Sequence, residues 1–151
     1  MNRQDARTPR VLFPEPDEPL DQLASVVVAA AVEVHSQLGP GFLESIYDNA
    51  ICIELALRGV PFQRQVPVAV TYKAHPVGGG RIDLLVADRL VVELKAVEAL
   101  DAVHVIQVRS YLKATGCSLG LLINFNVPVL LRGVRRVILS RPKLASWRPG
   151  D

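Results

Sequence analysis

The sequence predicts an α/β domain, a mixed β-sheet flanked by helices in the order α-α-β-β-β-α-β-β. Three observations carry that expectation. Two helical periodicities precede the first strand-like run. The stretch Gly80 to Ala96, GRIDLLVADRLVVELKA, reads as two apolar strands joined by the polar turn Ala87-Asp88-Arg89. A helical segment then separates that stretch from the continuous apolar run Leu119 to Phe125, and a crossover helix makes the strands on either side parallel and adjacent.

The helices come first. Asp21 can cap a helix running to about Leu38, with Leu23, Val27, Val34 and Leu38 at helical spacing. That helix is apolar nearly all round, which implies burial on more than one side or a homodimer contact. Gly39-Pro40-Gly41 ends it, and a second helix spans Phe42 to Arg58 before Gly59 and Pro61, with Phe42, Ile46, Ile53 and Leu57 as its apolar stripe. Glu44 and Tyr47 lie close together on its surface. Gln63 to Tyr72 alternates as a strand, and Pro67 points to an edge position or a bulge. His75 to Gly80, HPVGGG, reads as a flexible connection.

After the Gly80–Ala96 hairpin, Asp101 can cap a helix through about Thr115, stopped by Gly116, with Val103, Ile106, Val108 and Leu112 toward the core. Gln107 and Tyr111 stand one turn apart on it. Leu119 to Phe125 has the composition of a strand covered on both faces, and Val134 to Leu139 that of an edge strand carrying Arg135 and Arg136. An irregular leader over residues 1–19, a domain over 20–140 and a tail over 141–151, which Trp147 could dock, complete the organisation.

At 151 residues, half of them hydrophobic and 21% charged, the chain fits one globular domain with a real core. The net charge of +2 is uninformative, but its distribution is not: between Asp101 and the terminal Asp151 no acidic residue occurs. Lysines and arginines clustered in that way point to a polyanion partner or to a solvated basic edge. Cys52 and Cys117 lack metal-ligand spacing and read as reduced thiols. The N-terminus lacks the long apolar core of a signal peptide, and Leu23 to Val34, interrupted by Glu33, is too short to span a bilayer. A soluble, cytoplasmic protein is expected.

The chemistry concentrates in Asp83, Glu93 and Lys95. Alternation puts Glu93 and Lys95 on one face of their strand. A three-residue loop at 87 to 89 pairs Val86 with Leu90 and so Asp83 with Glu93, whereas a two-residue loop would send Asp83 to the other face. The odd-length loop is the expectation. Facing carboxylates repel unless a cation lies between them. Asp83, Glu93 and the main-chain carbonyl of Leu94 offer hard oxygen ligands suited to Mg2+ or Mn2+, ions that keep waters and accept a substrate phosphate. Lys95 is placed to orient or help deprotonate a water and to stabilise charge growing at phosphorus. These are the parts for hydrolysing a phosphodiester; the competing reading is an exposed ion pair across the strand.

Asp83, then Glu93-Leu94-Lys95, then Gln107 and Tyr111 at the spacing Q-x-x-x-Y, resemble the motifs of the PD-(D/E)XK nuclease superfamily. Gly41, Glu44 and Tyr47 are similar to the motif that names the GxxExxY family placed in that superfamily. The resemblance covers roughly Leu23 to Leu139 and departs from the pattern where Ile82, not proline, precedes Asp83. It implies a restriction-endonuclease-like core, Asp83 and Glu93 as metal ligands, Lys95 as the catalytic lysine, and Glu44 as an acidic residue reaching the site from its helix. It also implies that Gln107 and Tyr111, with Tyr47, position a DNA or RNA substrate or organise the catalytic groups. Taken singly, Tyr47 and Tyr111 could be core aromatics, Gln107 could face solvent, and Glu44 could be a favourable charge at a helix N-terminus. His35 and His104 are read as structural. A module on the same fold that binds nucleic acid or a protein without cutting is the alternative function.

Overall fold

A computed structural model describes residues 16–139; the expected leader up to residue 15, and the tail with Trp147, lie outside the described residues. The elements are α1 (Glu18–Leu38), α2 (Glu44–Leu57), β1 (Phe62–Tyr72), β2 (His75–Val86), β3 (Leu90–Lys95), α3 (Ala102–Thr115), β4 (Leu119–Asn124) and β5 (Val134–Ile138), with a 3-10 turn at Leu130–Gly133. Their order is the expected one. The sheet runs β1-β2-β3-β4-β5, antiparallel except between β3 and β4, which are parallel across the α3 crossover. Pro67 lies on one edge strand and Arg135 and Arg136 on the other.

Two hydrophobic layers sandwich the sheet. α1 and α2 cover one face through Val27, Ala31, Tyr47, Ile51 and Leu55, against Leu84, Val92, Leu94 and Ile123. α3 covers the other through Val108 and Leu112, against Val91, Leu122 and Val137. β4 is buried along its whole length, as its apolar run requires. The α3 contact centres on Gly120, where an added Cβ would lie 2.6 Å from Val108 Cγ1.

Several local expectations are corrected. The cap of α1 is Asp17, not Asp21: its carboxylate accepts the Leu20 N–H at 2.9 Å and a two-pronged contact from Arg89, tying the helix start to the β2–β3 turn. α2 buries Tyr47, Asp48, Ile51, Cys52 and Leu55, while the expected stripe of Phe42, Ile46, Ile53 and Leu57 is exposed. That orientation lets the Tyr47 ring stack on Phe125 at 4.6 Å between centroids, a contact the other face could not make. On α3, Val103 and Ile106 are likewise exposed rather than in the core.

The expected flexible connection at His75–Gly80 is the first half of β2. Lys73 and Ala74, with φ of 49° and 68°, form the tight turn, and β1 and β2 make an arm that runs well past the three rungs joining β2 to β3. The arm swaps faces at its root. Leu84 and Val86 pack toward α1 and α2, but Ile82 packs toward α3 although the two-residue period would keep it beside Leu84. The swap falls at Gln65, φ 51°, opposite Asp83, and the ladder resumes in unchanged register at Val66↔Ile82. Bends of this kind re-aim a side chain; here the side chain is Asp83. The arm's glycines are set by close approach: a Cβ on Gly79 would lie 2.1 Å from the Val68 carbonyl oxygen, and one on Gly80 would lie 2.8 Å from the Tyr111 hydroxyl. Gly79→Ala is therefore expected to cost about 1–3 kcal/mol in urea-unfolding experiments, because backbone cannot rotate out of the way; an unchanged midpoint would contradict this packing.

Candidate active site

Asp83 and Glu93 meet where β2 and β3 part. The turn at 87 to 89 sets Val86 opposite Leu90, the expected odd-length loop, and the ladder stops two rungs later at Leu84↔Val92. In place of the next rung the two side chains cross. Glu93 Oε2 accepts the Asp83 N–H at 2.8 Å, and Asp83 Oδ2 accepts the Leu94 N–H at 2.8 Å. Each carboxylate thus satisfies a main-chain donor that the splayed strands leave open, and each keeps its second oxygen. Gln65 Nε2 lies 3.5 Å from Asp83 Oδ1.

The electrostatics are those of excess negative charge. Burial pushes the Glu93 carboxyl up to about 8, with the Asp83 charge adding to the rise and the Asp83 N–H and Lys95 opposing it. Burial also raises Asp83, against the Leu94 N–H, and it raises Glu44, which feels the Asp83 charge next. Lys95 lowers all three. Among the described residues no ion pair takes up Lys95, so the exposed strand pair weighed from the sequence is not formed. Two part-buried carboxylates, Glu93 with an oxygen free and Asp83 with one held only by a long contact from Gln65, suit a hard divalent cation that retains waters, with the Leu94 carbonyl as a further oxygen ligand. Among the described residues no three His, Cys, Asp or Glu side chains converge as a complete ligand set, so waters and a substrate oxygen would fill the remaining positions.

The other sequence candidates fall into two groups. Glu44 opens α2 close enough for its charge to act on Glu93. Tyr111 packs over Gly80, three residues from Asp83, and accepts a hydrogen bond from Gln107 Nε2 at 3.3 Å. Tyr47 corrects its expectation. It is fully buried, donates from its hydroxyl to the Gly39 carbonyl at 2.6 Å and accepts the Phe42 N–H at 3.1 Å. It fixes the loop that leads into Glu44 instead of touching substrate. His35 and His104 are structural: His35 Nε2 meets the Val127 carbonyl, and His104 Nδ1 accepts the Asp101 N–H.

Sequence reasoning missed Asp48, Arg64 and Asn124. Asp48 stands one turn after Glu44 on the same helix face, a spacing that was readable; it is buried, pairs with Arg64 at 2.7 Å, and raises both Glu44 and Asp83. Asn124 ends β4 opposite Lys95 and hydrogen-bonds both the N–H and the carbonyl of Val97, pinning the chain that leaves β3. No sequence signal marks that pairing.

The sheet, its two helical layers and the carboxylate–lysine cluster at the parting strands define a nuclease-like α/β protein. The PD-(D/E)XK nuclease superfamily matches residues 21–137, and the chain belongs to it. Among curated proteins no sequence matches. A solved structure similar to it is the crystal structure of a phage related exonuclease from Haemophilus somnus 129PT, 12% identical, with a TM-score of 0.40 over 89% of this chain and 82% of that one. Among the described residues no helix is long and apolar enough to cross a membrane.

Two consequences are measurable. Tyr47→Phe removes the hydroxyl and leaves the part-buried Gly39 carbonyl without its partner, and should lower unfolding free energy by about 1–3 kcal/mol. Because Glu93 rises from 4.5 to about 8 on folding, the native state holds its proton more tightly. Its contribution is intact below the unfolded value and is lost as pH climbs through the folded one. In metal-free buffer Glu93→Gln should therefore gain thermal stability relative to wild type from pH 5 to pH 8 and level off above; a pH-independent difference would contradict the shift.

Proposed function

We propose that the chain is a small Mg2+- or Mn2+-dependent nuclease that hydrolyses nucleic-acid phosphodiester bonds. The observation that carries the reading is the crossed pair Asp83 and Glu93, held by each other's backbone, with Lys95 beside them and Glu44 within electrostatic reach. Asp83, Glu93 and the Leu94 carbonyl would hold the cation, whose chemistry when bound is to lower the pKa of a water and neutralise phosphate charge. Lys95 orients the attacking water and meets the negative charge that grows on the phosphoryl oxygens. Glu44, its carboxyl raised above its ordinary value by burial and by the Asp83 charge, is suited to exchange a proton with a nearby water. Gln107 and Tyr111 position the nucleic-acid backbone at the mouth of the site. Superfamily membership supports a nucleic-acid substrate, and the free thiols Cys52 and Cys117 support a cytoplasmic setting.

A binding module that does not cut is the second reading, favoured by the acid-free stretch between Asp101 and the terminal Asp151. It leaves the acidic cluster, which repels a polyanion, without a use. The discriminating assay is hydrolysis of labelled single-stranded DNA, duplex DNA and RNA with Mn2+, Mg2+ or EDTA. Wild type should cut only with metal, and Glu93→Gln and Lys95→Ala should each lose at least about 100-fold in rate while melting as folded proteins. Cleavage at the wild-type rate in either variant would refute the assignment, and salt-sensitive binding indifferent to divalent ions would select the second reading.

A further inference from the structure

The β1–β2 arm has a charge pattern that the catalytic cluster does not explain. From Leu55 to Ile82 the chain contains no Asp or Glu, and neither does α3. These two acid-free segments pack against each other. Val68 and Ile82 meet Val108 and Leu112 in one core, Gly80 lies under Tyr111, and Ala69, Val70 and Thr71 border Ser110, Lys113 and Ala114. The acid-free stretch of the arm ends one residue from Asp83. Arg109 and Lys113 are exposed on α3, Arg81 is exposed on the ribbon face turned away from α3 and Lys73 at the tip, and among the described residues no ion pair neutralises any of the four. At the tip, Lys73 Nζ lies 5.5 Å from the centre of the exposed Tyr72 ring.

The shape narrows the partner. Every residue from Ala69 to Gly79 is exposed, so the outer half of the arm is a free two-stranded ribbon. Its face carrying Arg81 is low: Pro67 pairs with Arg81 and Ala69 with Gly79, so little side chain stands between the backbone and an approaching surface. A two-stranded ribbon fits the major groove of B-form DNA, about 12 Å wide. The major groove of A-form RNA is too narrow to admit one. Single strands are held mainly by stacking on several aromatics, and the outer half of the arm offers Tyr72 alone.

We propose that the β1–β2 arm is a docking element for duplex DNA, with the ribbon entering the major groove next to the carboxylate cluster and its Arg81 face toward the DNA. This deepens the nuclease reading by naming its substrate as double-stranded DNA. Binding is tested on the full chain in EDTA, where cutting plays no part, by fluorescence anisotropy with labelled duplex DNA, single-stranded DNA and duplex RNA of equal length across a salt series. Wild type should bind duplex DNA at least about tenfold more tightly than the other two. Lys73→Ala/Arg81→Ala, checked for folding by circular dichroism, should bind it about tenfold more weakly and lower the log–log salt slope by about 2, the value for two lost phosphate contacts. Equal affinity for single strands or duplex RNA, or an unchanged affinity and slope in the variant, would overturn the proposal. Cleavage by wild type in Mn2+ is scored separately. Cutting with arm-independent binding rejects the arm and keeps the nuclease; arm-dependent duplex binding without cutting does the reverse.

Discussion

The crossed hydrogen bonds between Asp83 and Glu93 are the constraint on which the rest of the site depends. Two acidic side chains facing each other across adjacent strands should repel. Here each is anchored by a main-chain N–H of the opposite strand, at 2.8 Å. Those N–H groups are free because the ladder ends at Leu84↔Val92, and the ladder ends there because the arm turns over at Gln65 and Asp83. Strand divergence, arm reversal and carboxylate placement are one feature seen from three sides. The arrangement fixes the direction of both carboxylates while leaving one Glu93 oxygen unspent and one Asp83 oxygen held only by the long Gln65 contact, and preorganisation of that sort lets a charged site act without reorganising.

The surroundings keep the cluster acidic and rigid. Tyr47 bolts the loop before Glu44 into the core, so the third carboxylate arrives from a fixed helix start. Asp48 is held by Arg64 and adds negative potential without needing to contact the reacting groups. Asn124 clamps Val97 where the chain leaves β3. Cation-rich, acid-free surface lies on the arm and on α3, immediately outside the acidic pocket. On the proposed nuclease reading, a polyanion drawn to that surface would meet a cluster whose charge a divalent cation would offset, coupling substrate binding to cation binding.

Much of the architecture was legible because it rests on local periodicity. The order of elements, the parallel pair β3 and β4, the edge position of Pro67 and the odd-length turn all followed from alternation and turn length. What was misread depended on contacts distant in sequence. α2 carries apolar residues on two faces, and only Phe125, far along the chain, decides that the Tyr47 face is buried. The glycines of β2 read as a loop because their reason is the nearness of Val68 and Tyr111. The turn before them uses positive φ at Lys73 and Ala74, residues that give no sign of it. Asp21 was the cap expected from the sequence; Asp17 takes that place and also reaches Arg89, a contact distant in sequence. Of the site itself, Asp83 and Glu93 were readable from register, whereas Asp48 with Arg64 required the fold.

Whether the crossed carboxylates form a divalent-cation site is read out by Mn2+ titration calorimetry in buffers of different ionisation enthalpy. With Glu93 raised to about 8, wild type at pH 7 should take up a Mn2+ ion and release close to one proton as the carboxyl becomes a ligand. Glu93→Gln should bind far more weakly and release none. Equal Mn2+ binding and proton release in the two proteins, or no binding by wild type, would contradict the account.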